Sequence, residues 1–149
     1  MVAACIFTAC ETEKTGIEPM LDVTANNVAG DWKVVTWSDG QSFDNGCYVY
    51  LRLIRKDRKM EIYQNTDTQS AQPRKITGEF NITADQEFGA IIRGKYDHGT
   101  GEWSHRYIVK QLTAARMVWV ALDDASNITV YEKVDSIPAE ILDSVSANE

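Results

Sequence analysis

The chain has 149 residues, a length at which one domain around a single core is expected. Its 22 acidic residues outnumber its 15 basic residues and give a formal net charge of −7, which argues against a nucleic-acid partner and against electrostatic docking on anionic membranes. The three cysteines have irregular spacing and the two histidines lie in no metal-binding motif, so we predict no disulfide framework, no metal and no cofactor.

The first ten residues resemble the end of a bacterial lipoprotein signal peptide. Residues 1–9 are apolar or small, Cys10 follows, and the chain then turns polar. Phe7-Thr8-Ala9-Cys10 is similar to the family motif, although Phe7 stands where leucine is usual and no basic residues precede the apolar run. The resemblance implies a lipid on Cys10, a signal-peptide remnant at residues 1–9 and a tether at residues 10–27. The alternative is a disordered N-terminus.

Short apolar runs separated by turn-forming residues follow from residue 30 onwards. They predict eight strands, at residues 30–38, 46–55, 59–65, 74–83, 88–96, 102–110, 116–122 and 127–134. Nearly all connections are short, which favours antiparallel neighbours in an up-and-down meander.

Closure of this meander would remove its two exposed edges. We therefore predict an all-β fold, an eight-stranded antiparallel up-and-down β-barrel, within a single domain at residues 28–149. Residues 138–145 predict a short C-terminal helix that begins at Pro138 and packs Ile137, Ile141 and Val145 on the barrel wall. No later apolar run approaches the length of a transmembrane helix, so the lipid would be the only membrane attachment.

Two short motifs at opposite ends of the barrel region carry a family resemblance. Gly30-Asp31-Trp32 opens the first strand and Tyr131-Glu132-Lys133-Val134 lies in the last. This pair resembles the calycin superfamily, the lipocalins and fatty-acid-binding proteins. The resemblance implies that Gly30 starts the first strand, and that Trp32 packs at the closed end beneath a basic residue, here Lys133 where arginine is usual.

The resemblance fits lipocalins better than fatty-acid-binding proteins. The latter carry an Arg-x-Tyr that binds the ligand carboxylate, and here Thr129 replaces the arginine before Tyr131. With the leader, the chain is similar to small lipocalin-like lipoproteins of Gram-negative, Bacteroides-type bacteria. This implies a cell-envelope location, on the outer membrane, and we expect a monomer.

Strand alternation, with Trp32 facing inward, predicts the residues that line the interior. They are largely aromatic or aliphatic, as expected of an apolar small-molecule pocket. The candidates are Val34, Thr36, Phe80, Ile82, Phe88, Ile92, Trp103, His105, Tyr107, Trp119 and Tyr131. The alternative is that these rings fill the barrel completely; the small residues Gly78, Ala90, Gly94 and Ala121 favour space inside.

Two further positions have alternative readings. His105 is either a ligand contact or a satisfied wall residue. Arg52 is an anion anchor if it faces inward and a surface residue otherwise, and the second strand is apolar on both faces, so its orientation stays open.

No nucleophile motif, phosphate loop or carboxylate pair supports catalysis, so we predict a protein that is not an enzyme. The main hypothesis is a lipid-anchored barrel that binds a small apolar or amphipathic molecule. The second is a filled barrel that contacts a protein or glycan, as inhibitor barrels do, through Trp37 and residues 38–46. A weaker third is an enzyme that uses His105 as acid or base.

Overall fold

The computed structural model describes residues 18–37, 47–66, 73–99 and 101–148, and the side chains only as far as residue 145 in the last range. A short helix α1 precedes eight strands, and a longer helix α2 follows them. The elements are α1 (Ala25–Val28), β1 (Gly30–Thr36), β2 (Tyr48–Ile54), β3 (Lys59–Asn65), β4 (Arg74–Asp85), β5 (Gly89–Tyr96), β6 (Tyr107–Lys110), β7 (Arg116–Ala121), β8 (Asp124–Val134) and α2 (Ala139–Asn148).

The strands form one closed barrel in which each strand pairs antiparallel with the next. β1 also pairs antiparallel with β8, and this pairing closes the sheet. The predicted eight-stranded up-and-down barrel with a short C-terminal helix is therefore confirmed. No helix in the described ranges is both long enough and apolar enough to cross a lipid bilayer.

Trp32 and Lys133 meet at the end of the barrel where β1 begins. They are directly paired across β1 and β8, and the Lys133 Nζ lies 5.0 Å from the centroid of the Trp32 ring. Trp32 is fully buried and its indole N–H donates to the Val28 carbonyl oxygen at 2.9 Å. Gly30 has a φ of +133°, and a Cβ there would collide with Cε of Lys133, so only glycine lets the lysine lie across the indole.

The segment before β1 covers this end of the barrel. The Leu21 N–H donates to the Leu112 carbonyl oxygen at 2.8 Å, and the Thr24 hydroxyl accepts from the Asn27 N–H and caps α1. Val28 and Leu112 are buried in the interior core. The part of the predicted tether from Leu21 onwards thus packs against the barrel, whereas residues 1–17, Cys10 among them, lie outside the described residues.

A second, smaller apolar cluster lies outside the barrel beneath α2. Ile137 and Val145 pack there against Tyr50 and Tyr63, with Ile141 partly buried at the edge. The apolar stripe predicted for the C-terminal helix therefore packs on the barrel wall. Burial of this apolar stripe holds α2 against the outside of the barrel, near β2 and β3.

β1 contains a bulge that changes which residues face inward. Val34 pairs with Tyr131, but Thr36 pairs with the adjacent Val130, so one residue of β1 is extra between them. An extra residue reverses the side-chain alternation beyond it. The expectation that Thr36 faces the interior is wrong for this reason: Trp37 lines the interior cavity instead, while remaining 40% exposed.

The start of the fifth strand also differs from the prediction. The chain turns at residues 86–88, where Oδ1 of Asp85 accepts hydrogen bonds from the N–H groups of Glu87 and Phe88 at 2.8 and 2.9 Å. β5 begins only at Gly89, which has a φ of +85°. Phe88 is 42% exposed at the tip of this hairpin, so its predicted place inside the barrel is wrong.

The sixth strand is shorter than the predicted range 102–110. Glu102 forms an isolated bridge with Lys95, and the continuous pairing resumes with Tyr107 opposite Ile92. If the β5–β6 pairing continued without a break, Ser104 would lie opposite Lys95. Glu102 lies there instead, so the chain contains two extra residues between this bridge and β6. His105 lies in this irregular stretch rather than in a strand.

Candidate functional site

The barrel contains a cavity of about 430 Å³ that is partly open to solvent, at the end opposite Trp32. Its walls come from all eight strands and from the β5–β6 connection. The described lining residues are Val34, Trp37, Val49, Leu51, Met60, Ile62, Gln64, Ile76, Tyr96, Trp103, Ser104, His105, Tyr107, Trp119, Asn127, Thr129 and Tyr131. None of these is Asp, Glu, Lys or Arg, so the cavity wall carries no fixed charge.

The structure brings six of the predicted lining residues together around this cavity: Val34, Trp103, His105, Tyr107, Trp119 and Tyr131. Phe80 and Ile92 are buried in the interior core but do not border the cavity, and Ile82 is partly buried against the same core.

Sequence reasoning missed the contributions of β2 and of the strand ends. β2 is apolar on both faces, and its orientation depends on where Arg52 lies. In the structure Arg52 faces outward and Val49 and Leu51 face inward. Tyr96 and Gln64 lie within the predicted strands and continue the inward alternation of β5 and β3, so following that alternation to the strand ends would have found them.

Arg52 forms an ion pair on the outer surface. Its Nε and Nη2 donate to Oδ1 and Oδ2 of Asp31 at 2.8 and 3.1 Å, and its Nη1 lies 3.6 Å from Oε1 of Glu61. The interpretation of Arg52 as an anion anchor inside the barrel is therefore wrong. With Arg52 outside, none of the described lining residues offers a guanidinium to a ligand carboxylate.

Four aromatic rings form a continuous wall of the cavity. Trp119 on β7 lies at its centre: its ring is stacked on that of Trp103, with centroids 6.0 Å apart and planes 23° apart. The ring centroids of Tyr107 and Tyr131 lie 5.3 and 4.7 Å from that of Trp119. Tyr107 on β6 and Tyr131 on β8 are each a diagonal neighbour of Trp119 on the strand between them, a spacing at which aromatic side chains reach each other.

Three phenol hydroxyls lie in this part of the cavity, those of Tyr96, Tyr107 and Tyr131. Burial raises the pKa of Tyr131 far above its usual range, and the nearby phenols of Tyr107 and Tyr96 raise it further. Burial also raises the pKa of Tyr107 and of Tyr96. These hydroxyls therefore stay protonated at neutral pH, and each can both donate and accept a hydrogen bond.

The two tryptophan N–H groups of the wall differ in their partners. The Trp119 Nε1–H donates to Sδ of Met117 at 3.3 Å, whereas Nε1 of Trp103 is buried without a partner among the described residues. Gly94 admits the Trp103 ring, because a Cβ there would meet the indole Cε2 and Cζ2 at 2.5 Å. Within the described part of the chain, the Trp103 N–H is thus a buried donor without an acceptor.

His105 lies at the rim of the cavity. Its Nδ1 is 2.8 Å from Oδ1 of Asp123, and because a carboxylate only accepts, Nδ1 is the donor. The imidazole meets the Tyr107 ring edge-on at 5.9 Å between centroids. His105 and Trp103 also border a second, outer pocket of about 330 Å³ together with Arg93 and Arg106. His105 is therefore a satisfied wall residue between the two spaces.

In the described part of the chain, no group of three or more His, Cys, Asp or Glu side chains is arranged to hold a metal ion. Comparison with known protein-family models finds no match, and comparison with curated proteins finds none either. The described part of the chain is a closed eight-stranded β-barrel with an internal cavity lined by aromatic, aliphatic and neutral polar side chains.

Proposed function

We propose that this protein is a lipocalin-like barrel that binds a small apolar or amphipathic molecule in its cavity without transforming it. The observation that carries this proposal is an internal space of about 430 Å³ walled by aromatic and aliphatic side chains. Ligand sites in proteins typically measure roughly 300–1,000 Å³ and are lined mainly by such residues. The cross-barrel contact of Lys133 with Trp32 beneath the Gly30 backbone supports the calycin assignment.

The size of the cavity favours binding over a purely structural interior. One water molecule takes up about 30 Å³ of liquid, so the space exceeds what a few structural waters fill. The alternative, a filled barrel that acts only as a protein- or glycan-interaction module, requires a packed interior at this end. The described lining, which surrounds an open space, therefore favours ligand binding over the filled interaction module.

The chemistry of the lining supports a non-catalytic role. General acid–base catalysis needs groups with pKa values near the working pH, placed together in the site. The described lining offers no carboxylate, lysine or cysteine, and its only histidine is held by Asp123 at the rim.

We further propose that the protein is a monomer anchored to the cell envelope, on the outer membrane of a Gram-negative bacterium, by a lipid on Cys10. The support is the leader-like sequence before Cys10 and the polar stretch after it. Expression of the wild type and Cys10→Ser in a Gram-negative host tests this: the wild type should fractionate with membranes and the variant should not. Equal fractionation of both proteins would contradict the anchor.

Native mass spectrometry of protein purified gently from its natural host tests the binding proposal. The wild type should carry a small molecule. Thr129→Phe, which adds a ring to the cavity wall, should carry less of it, by at least about fivefold. Ile128→Phe is the matched control, because Ile128 is the neighbouring residue of β8, lies outside the lining and is 37% exposed. A wild type that is repeatedly empty, or equal loss in both variants, would contradict binding in the barrel.

A further inference from the structure

The polar groups that line the cavity restrict the class of ligand more than the cavity volume does. No described lining residue has a fixed charge, and Arg52 on β2 is engaged outside the barrel by Asp31. An ionised carboxylate inside this cavity would lose its water and gain no cation in return, which is strongly unfavourable. The cavity therefore selects against fatty acids and other organic anions.

The described lining carries neutral polar groups that both donate and accept hydrogen bonds: the side chains of Gln64, Ser104, Asn127 and Thr129 and the hydroxyls of three tyrosines. The hydroxyls of Tyr96, Tyr107 and Tyr131 keep their protons because burial disfavours the phenolate. A ligand that brings hydrogen-bond acceptors can bond to the tyrosine hydroxyls that border the cavity, whereas a plain hydrocarbon offers them no partner.

The shape of the wall favours flat molecules. The ring planes of Trp103 and Trp119 are only 23° apart, and the rings of Tyr107 and Tyr131 flank Trp119 with their planes tilted from it by 36° and 54°. A planar ring system can stack on one of these rings and meet the tilted ones with its edge, while a flexible alkyl chain must give up conformational freedom to pack there.

We propose that the ligand is a neutral, planar, ring-containing molecule whose carbonyl or ether oxygens accept hydrogen bonds from the tyrosine hydroxyls of the cavity. This inference rests on the proposed binding function and names the ligand class for the same site. Tyr131 and Tyr107 supply the central pair of hydroxyls, and Trp119 between them supplies the stacking face.

Calorimetric titration with matched probes tests the ligand class. Acetylnaphthalene offers a planar ring and a carbonyl, ethylnaphthalene lacks the acceptor, naphthoate replaces it with a carboxylate, and decanone keeps the carbonyl on a flexible chain. We expect acetylnaphthalene to bind at least about tenfold more tightly than each of the other three, a factor that corresponds to one good hydrogen bond or its equivalent.

Variants of the phenols test the assigned groups. Tyr131→Phe and Tyr107→Phe should each weaken acetylnaphthalene binding by roughly five- to tenfold and leave ethylnaphthalene binding unchanged. Tyr48→Phe is the control, since it removes a phenol hydroxyl from the outer cluster beneath α2. Circular dichroism of each variant verifies the fold, and ethylnaphthalene binding verifies that the cavity survives.

The outcomes separate the two proposals. Tighter binding of naphthoate or decanone, or equal binding of acetylnaphthalene and ethylnaphthalene, would overturn the ligand class while leaving a binding barrel. Failure of all four probes to bind, together with an empty protein from the natural host, would overturn the binding function itself.

Discussion

Gly30 shows how one residue without a side chain permits a long-range contact. Its φ of +133° lies beyond the left-handed range that other residues tolerate, and its missing Cβ leaves the space that the Lys133 stem occupies. Lys133 reaches the Trp32 ring from the opposite end of the sequence, and a cation over an indole contributes about 0.5–2 kcal/mol. The glycine thus allows the first and last strands to be locked at the closed end.

Gly30→Ala should therefore combine backbone strain with displacement of Lys133. We expect a loss of about 3 kcal/mol in the free energy of unfolding. Gly89→Ala is the control, because Gly89 also has a positive φ, +85°, but a Cβ there would meet nothing within 4 Å. It should cost only about 1 kcal/mol. Urea unfolding measures both values, and equal losses would show that the Lys133 contact adds nothing.

At the scale of the elements, Asp31 ties three parts of the chain together outside the barrel. Its carboxylate on β1 accepts from Arg52 on β2 at 2.8 and 3.1 Å, and from the Ile137 N–H ahead of α2 at 3.2 Å. Only 12% of the Asp31 side chain is exposed, so these charge-assisted hydrogen bonds are partly shielded from water. The same carboxylate fixes the strand pair and the approach of the C-terminal helix.

Asp31→Asn should cost about 2 kcal/mol in unfolding free energy, because it removes the charge from all three bonds. Glu79→Gln is the control: the pair of Glu79 with Lys59 is 3.3 Å long but nearly half exposed on both sides, and such pairs contribute about 0–1 kcal/mol. Thermal unfolding of both variants in low salt compares them. A loss for Asp31→Asn no larger than that for Glu79→Gln would rule out the bridging role.

The strands and turns show which parts of the structure the sequence could predict. Turn clusters such as residues 97–101 and clean alternation in β4 locate the strands, and short connections determine their order. The bulge in β1 leaves no mark in an apolar run, so the exchange of Thr36 for Trp37 in the lining was not predictable. The orientation of β2 depended on the partner of Arg52, which lies on another strand. Strand alternation thus predicts the barrel better than it predicts the cavity wall.

For the whole molecule, the tyrosines distinguish the folded from the unfolded chain in alkaline solution. Folding raises the pKa of all six tyrosine hydroxyls, and burial is the first cause in each case. A raised pKa means that above about pH 10 the unfolded chain loses protons that the folded chain keeps. The stability contributed by these groups is therefore complete below that pH and falls as the pH rises further.

We expect the free energy of unfolding to drop above pH 10, by up to about 1.4 kcal/mol per pH unit for each phenol that ionises only on unfolding. Phenolate absorbance should then appear together with the loss of the β-sheet circular dichroism signal. Tyr131→Phe removes the most deeply buried phenol of the cavity and should make the decline with pH shallower by about one proton, whatever its effect at neutral pH. Phenolate formation from all six tyrosines near pH 10 in a protein that keeps its sheet signal would contradict the burial of these hydroxyls.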